Sequence, residues 1–270
     1  MLQIPRFRQL SYIMLAALSA LLVIVVTACS NQETNRADSV LIVATSPDFP
    51  PFEFTTATGE LQGFDIDLIT AIAESQNITL EFEPMSYGDV IRSLSANAVD
   101  AAISAITITP DRVEVVSFSR PYFEGGLAIA VADANTDITD AAMLQGKRIG
   151  VQARTTGETF AQGVANARVQ RFETIDEAFS QLAAGKLDAV INDAPVTQYS
   201  LRQGLLTNIK AIEPLLTQEY YGIAVPKDSK SLEVINAGLT TIMENGQYAE
   251  IYSKWFDQAP PSLPESVPGV

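Results

Sequence analysis

The chain has 270 residues, no histidine, one cysteine, and 17 basic residues against 32 acidic ones, a formal charge of −15. These counts exclude Ser-His-Asp and Cys-His catalysis, His-ligated zinc and an intrachain disulfide, and the acidic balance argues against a nucleic-acid partner. No GxxxxGK[ST] or GxGxxG run occurs, so nucleotide-binding loops have no support, and neither a cofactor nor a metal is expected.

In chain order, residues 1–28 come first. Arg6 and Arg8 precede an unbroken apolar run, Leu10 to Val26, which reads as a secretory signal that is removed rather than folded. The alternative is a retained anchor, because a run of about 17 residues sits at the short limit for spanning a bilayer. The next residues, Val26-Thr27-Ala28-Cys29, resemble a bacterial lipobox, which implies cleavage before Cys29 and lipidation of its thiol. Residues 29–39 are polar and read as a flexible tether, so a lipid on Cys29 is the expected membrane attachment of a water-soluble domain. Loss of residues 1–28 removes two basic residues and no acidic one, leaving 15 against 32 and a charge of −17. That excess favours solubility and a monomer.

Val40 to Thr45 is β-branched and apolar and predicts a strand. Asp48 to Phe54 (DFPPFEF) is a Pro- and Phe-rich loop, and Ala57 to Glu60 a turn. A helix starts at Phe64, where Asp65 and Asp67 suit a capping role. Ile78 to Glu83 is a second strand, Tyr87 to Ala96 a helix, and Ala101 to Ile106 a buried strand. Thr109-Pro110-Asp111 then opens a short helix with a good N-cap, a proline at the first position and an acid. Arg112 does not suit that turn, where the helix dipole disfavours a cation. It either pairs with Asp111 or Glu114, lies in solvent, or meets an anion from outside.

The theme repeats in strands at Arg148 to Gln152, Val169 to Phe172 and Ala189 to Asn192, with helices at Thr156 to Ala165 and Ile175 to Ala184. LSANAVDAAIS (Leu94 to Ser104) and LAAGKLDAVIN (Leu182 to Asn192) match, with Asp100 over Asp188 and Ser104 over Asn192. Asp193 follows directly, either as an N-cap for the next helix or as a carboxylate at a strand end. Tyr221 to Pro226 is a last strand, a helix carries Leu232, Ile235, Leu239 and Ile242, and Tyr248 to Phe256 follows. The tail, 258–270, is Pro-rich and expected to be disordered. Alternating strands and helices predict an α/β fold with mostly parallel sheets, two similar lobes, and ligands at the strand C-terminal ends.

Six motifs in order, PPFEF (Pro50 to Phe54), GFDIDL (Gly63 to Leu68), DAAISAITITPDR (Asp100 to Arg112), GVQARTTGE (Gly150 to Glu158), LDAVIND (Leu187 to Asp193) and YGIAVPK (Tyr221 to Lys227), carry a resemblance. The chain resembles the type II periplasmic solute-binding proteins, specifically the polar-amino-acid receptors of ABC importers. The resemblance implies a two-lobe Venus-flytrap clamp on a two-strand hinge. Lobe 1 would comprise residues 40–122 and 224–257, and lobe 2 residues 123–223. Its partners would be a free polar amino acid and the permease subunits.

The resemblance further implies that Arg112 grips the ligand's α-carboxylate and Asp193 its ammonium. Thr107 and Thr156 would add donors to the carboxylate, Ser104 and Ala105 backbone groups to the ammonium, and Phe49 and Tyr87 rings beside the aliphatic stem. Receptors for basic side chains often carry an aspartate where this chain has Ser46, which weighs against lysine or ornithine without excluding them. Gln152 stands where the distal side chain is read. Arg154 replaces the glycine usual in that loop. Glutamine, arginine and glutamate stay open, a polar neutral side chain being preferred. Two rivals share the fold: a cyclohexadienyl or arogenate dehydratase using Glu158 or Glu173 as acid, and an amino-acid sensor acting in trans.

Overall fold

The computed structural model describes residues 40–270. The secretory segment 1–28, Cys29 and the tether 29–39 lie outside the described residues. The described chain begins with β1 (Val40–Thr45) and a small antiparallel sheet of β2 (Asp48–Phe49), β3 (Glu53–Thr55) and β4 (Leu61–Gln62). There follow α1 (Phe64–Ser75), β5 (Thr79–Pro84), α2 (Tyr87–Ser95), β6 (Ala101–Ala102), α3 (Pro110–Val115) and β7 (Val116–Phe118). The chain crosses on β8 (Phe123–Gly125) to β9 (Leu127–Ala132), β10 (Arg148–Gln152), α4 (Thr156–Gly163), β11 (Arg168–Phe172) and α5 (Ile175–Ala183). Then come β12 (Ala189–Asp193), α6 (Ala194–Arg202) and β13 (Ile209–Ile212). It returns on β14 (Glu219–Tyr221) and ends with β15 (Ala224–Pro226), α7 (Ser231–Glu244) and α8 (Gln247–Phe256).

Two five-stranded sheets result, ordered β5-β1-β6-β15-β7 and β11-β10-β12-β9-β13. In each, the first three strands run parallel. The antiparallel strands β15 and β9 belong to the segments that enter or leave the crossing. The crossing itself is a two-stranded ribbon in which β8 pairs antiparallel with β14. The matched segments of the sequence are structurally equivalent. Asp100 accepts the Ile42 N–H at the start of β1 (2.9 Å), and Asp188 accepts the Arg148 N–H at the start of β10 (2.7 Å). Each aspartate thus ties the turn before a central strand to its parallel neighbour.

Aromatic rings pack around the hinge. Phe123 of β8 and Tyr221 of β14 stack at 5.5 Å, Phe52 meets Phe123 edge-on at 4.9 Å, and Phe256 of α8 lies 4.9 Å from Phe123. Phe52 and Phe64, from the PPFEF and GFDIDL motifs, are fully buried there. Burying each stabilises the fold by about 1.5–3 kcal/mol, and ring pairs add about 0.5–1.5 kcal/mol. Gly63, the first residue of the second motif, is required by space. Its φ is 144°, and an added methyl would lie 2.5 Å from the Phe52 carbonyl carbon.

Several expectations change in detail. The strand expected over Ala101 to Ile106 stops at Ala102, because the chain turns out of the sheet with Ala105 at φ 45°. Buried carboxylates hold that turn, Ser104 donating to Glu53 (2.7 Å) and Ala105 N–H to Asp65 (2.8 Å). The strand expected over Tyr221 to Pro226 is two, broken at Gly222 where it passes from the hinge to the first sheet. Asp65 and Asp67 do not cap α1, whose N-terminus has no side-chain cap. Asp67 instead accepts from Lys254 and Trp255 of α8. The segment 258–270 has no regular structure, but Leu263 packs on the core and Glu265 pairs with Arg120 at 2.9 Å.

Candidate functional site

The C-terminal ends of β1, β6, β10 and β12 face one cleft between the lobes. It is lined by Ser46, Phe49, Tyr87, Ala105 and Thr107 from one side and Gln152, Thr156 and Asp193 from the other. Arg112 stands at its adjoining mouth with Thr156 and Glu219. Nine of the ten ligand-binding candidates therefore border the cleft or its mouth. The tenth, Ser104, lies behind it, accepting from Ser46 N–H and donating to Glu53. A wider concavity beside Gly125 and Pro195 gathers none of these residues. Among the described residues no group of three acidic or cysteine side chains is spaced to hold a metal ion.

Local folding aims each polar group. Thr109 caps α3 through the Arg112 N–H (3.3 Å), with Pro110 beside it, so the first turn of the helix carries Arg112 toward the cleft. Its Nη1 donates to the Thr107 carbonyl (2.8 Å) and its Nη2 to the Tyr87 hydroxyl (2.9 Å) and the Arg154 carbonyl (3.3 Å). All three acceptors are neutral. Among the described residues no carboxylate makes an ion pair with Arg112, so pairing with Asp111 or Glu114 is not how its charge is balanced.

Asp193 ends β12, directly before α6, yet its side chain makes no capping bond. Instead it accepts from the Tyr221 hydroxyl of the hinge. Burial, and then the nearby Glu219 carboxylate, raise Asp193 to about 7. Arg112 acts on Asp193 in the opposite sense, so the cation and the carboxylate share one environment.

The sequence reading missed Asp48, Glu53, Thr155 and Glu219. Glu219 shares a face of β14 with Tyr221, a two-residue alternation that sequence pattern does show once the strand is placed. Its Oε2 accepts from Thr107 (2.8 Å) of one lobe and Thr156 (3.0 Å) of the other, and its Oε1 from Thr217 (3.2 Å). Both threonine protons are thus committed to Glu219. The two hydroxyls are therefore not free to donate to a ligand, and of the expected donors the backbone N–H groups of Thr107 and Thr156 remain.

At the other end, Asp48 and Glu53 line the cleft. Burial pushes Asp48 up to about 6, and Asp176 of α5 in the opposite lobe adds to the rise. Glu53 is buried beside Asp65 and is raised well above the usual carboxylate range, first by burial and then by Asp65. Asp65, also accepting from Tyr122, is held near 6 by burial. Gln152 donates to the Glu173 carbonyl (3.0 Å), which leaves its amide oxygen as an acceptor. Carboxyl groups therefore dominate both the corner around Asp193 and Glu219 and the end around Asp48 and Glu53.

These raised values have a consequence for stability. A carboxyl that holds its proton longer when folded contributes stability that is complete below its unfolded pKa near 4 and lost as pH rises through its folded value. With Asp48 and Asp65 near 6 and Asp193 near 7, the unliganded protein is expected to melt several degrees lower at pH 8 than at pH 5. Calorimetry across that range checks it, and a melting temperature rising with pH would remove these groups as the controlling ones.

Two α/β lobes joined by a two-strand hinge, with a polar cleft at their strand ends, define a type II periplasmic-binding-protein fold. The chain belongs to the bacterial extracellular solute-binding proteins, family 3, whose family model matches residues 41–258. The arginine-binding periplasmic protein of Mannheimia haemolytica is 35% identical over 227 residues, covering 82% of this chain and 92% of that one. The crystal structure of the arginine-, lysine-, histidine-binding protein ArtJ of Geobacillus stearothermophilus matches with a TM-score of 0.79 at 34% identity, over 82% of this chain and 97% of that chain. An ancestral amino-acid-binding protein described as a precursor of cyclohexadienyl dehydratase matches with a TM-score of 0.75 at 33% identity, over 83% and 97%.

Proposed function

We propose that the protein captures a free L-amino acid with a cationic side chain, arginine foremost, between its lobes and hands it to an ABC importer without chemical change. The observation that carries this is the placement of charge. Arg112 on one lobe and Asp193 on the other meet the two charges of an α-amino acid, and two further carboxyl groups, Asp48 and Glu53, line the distal end, with Asp176 behind them close enough to raise Asp48. The first pair would take any zwitterion. The second set has no use for a neutral side chain, because bringing carboxylates together in a buried site is costly without a cation. The basic-side-chain signature absent at Ser46 is supplied two residues later, where Ser46 Oγ donates to Asp48 (3.1 Å). That shifts the preference from glutamine to a cation.

In this arrangement Arg112 and the backbone N–H groups of Thr107 and Thr156 hold the α-carboxylate, while Asp193 takes the ammonium. Ala105 and Ser104 shape the wall, and Phe49 and Tyr87 flank the stem. Because the charges sit on separate lobes, the ligand binds the closed form better and shifts the population toward it. Glu158 is engaged by Arg171, Gln162 and the Arg154 N–H, which speaks against its use as a catalytic acid. Calorimetric titration of residues 40–270 with each of the twenty amino acids tests the proposal. Arginine or lysine should bind far more tightly than glutamine, and no heat with any of the twenty would overturn it.

The same proposal assigns residues 1–28 as a cleaved signal, Cys29 as the lipidated N-terminus, 29–39 as a tether, and the protein as an envelope-bound monomer. Cys29→Ala is expected to release the protein from membranes with its ligand affinity unchanged. Fractionation with a binding assay on each fraction decides it, and persistent attachment would point to an uncleaved helix.

A further inference from the structure

Arg154 is the residue at which the glycine-type loop before α4 departs from expectation, and the receptor function does not use its side chain. Its φ is 65°, a conformation in which glycine is at home and arginine is not. The loop holds it there nonetheless. Arg154 N–H donates to Glu158 (2.6 Å), Glu158 is itself fixed by Gln162 (2.6 Å) and Arg171, and Thr155 Oγ1 donates back to the Gln152 carbonyl (2.8 Å). The exposed side chain then leaves its own lobe. Its guanidinium lies against Gly88 in the first turn of α2 on the opposite lobe, beside Asp89. A methyl built on Gly88 would overlap Nη1 and come within 2.9 Å of Cζ and 3.1 Å of Cδ. The notch is therefore open only because residue 88 has no side chain. The Asp89 carboxyl is held below its ordinary range by the Ser86 hydroxyl, by Arg92 and by Arg154 across the cleft.

We propose that Arg154 is a closing latch: a cation on the second lobe that seats in the Gly88 notch of the first, so that part of the affinity for amino acid comes from a contact that touches no ligand atom. This rests on the clamp function proposed above. The latch forms only where the lobes approach. The Arg154 carbonyl, by accepting from Arg112, ties the same loop to the residue that grips the carboxylate. Seating Arg154 and engaging Arg112 are then parts of one movement. Removing the latch should speed ligand release more than it slows capture, because the contact exists in the closed complex and not in the encounter.

The test uses Arg154→Gly, Gly88→Ala and the double variant, titrated with L-arginine and in parallel with L-glutamine, together with unliganded melting curves. Arg154→Gly is expected to weaken binding about two- to fivefold, the scale of an exposed charge contact, with the loss in the release rate. Its melting temperature should hold or rise, since glycine suits the left-handed backbone. A merely structural role would lower both. Gly88→Ala should weaken binding similarly although alanine favours the helix, and the double variant should be no weaker than Arg154→Gly alone. About 1 M salt, which screens such contacts, should close the gap to the wild type. If the wild type binds and Arg154→Gly binds equally well, or the two single losses simply add, the latch is wrong and the receptor stands. If the wild type binds neither amino acid, both fall together.

Discussion

Arg112→Ala is expected to weaken amino-acid binding by about 2–5 kcal/mol, roughly 30- to several-thousand-fold, with little change in melting temperature. Among the described residues the guanidinium donates to the Thr107 carbonyl, the Tyr87 hydroxyl and the Arg154 carbonyl and lies over the Tyr87 ring, all of them neutral groups. Losing it from the empty protein breaks no ion pair and opens no core cavity, because none of the α3 residues is buried. In the closed complex the same loss leaves the ligand's carboxylate without its counter-charge in a site sealed from water, which is where the large cost arises. Arg112→Lys should recover only part of it, since an ammonium cannot offer two parallel donors. Titration of all three proteins measures the series. Unchanged affinity in the alanine variant would remove Arg112 from the site and with it the zwitterion clamp.

The asymmetry between stability and binding also explains why this residue was legible in the sequence. A cation in the first turn of a helix with a capping threonine, a proline and an aspartate is locally unfavourable, and local misfits mark positions chosen for something outside the local structure. Asp193 was legible for the complementary reason, a carboxylate closing a buried strand. The alternation of strands and helices showed the two lobes, and Asp100 and Asp188 showed their kinship. What sequence could not show was set by long-range contact. Glu219 reads as an ordinary strand residue until β14 is placed between Thr107, 112 positions earlier, and Thr156, 63 positions earlier. Ala101 to Ile106 has the pattern of a full strand, and only the carboxyl groups of Glu53 and Asp65, from β3 and α1, bend it away after Ala102. Asp65 looked like a helix cap because capping is the local role of an aspartate near a helix start. Its partners are Ala105, 40 positions on, and Tyr122, 57 positions on. In each case the missed role belongs to a buried polar group whose partner is far away in the chain.

Asp193→Asn is expected to cost a similarly large factor, about 2–5 kcal/mol, and in addition to flatten the pH dependence of binding. Asparagine keeps the volume and an oxygen for the Tyr221 hydroxyl, so the fold should survive while the charge that meets the ammonium is gone. In the empty cleft Asp193 titrates near 7, raised by burial and by Glu219, with Arg112 opposing. A bound ammonium favours the ionised form and lowers that value. Binding to the wild type should therefore be full above about pH 7 and weaken as pH falls below it, by up to about tenfold per unit until the bound-state value is reached. An amino acid's α-ammonium and α-carboxylate do not titrate in that window, so the slope belongs to the protein. Asp48, near 6, adds a second step only when the side chain is a cation that reaches it. Arginine and glutamine should consequently diverge below pH 6, arginine losing affinity faster. Proton release at pH 6, read from titrations in buffers of different ionisation enthalpy, separates the two steps. Asp193→Asn should abolish the first and leave the second. A wild-type affinity that stays level or rises from pH 8 to pH 5 would mean that neither carboxyl faces the ligand's charges.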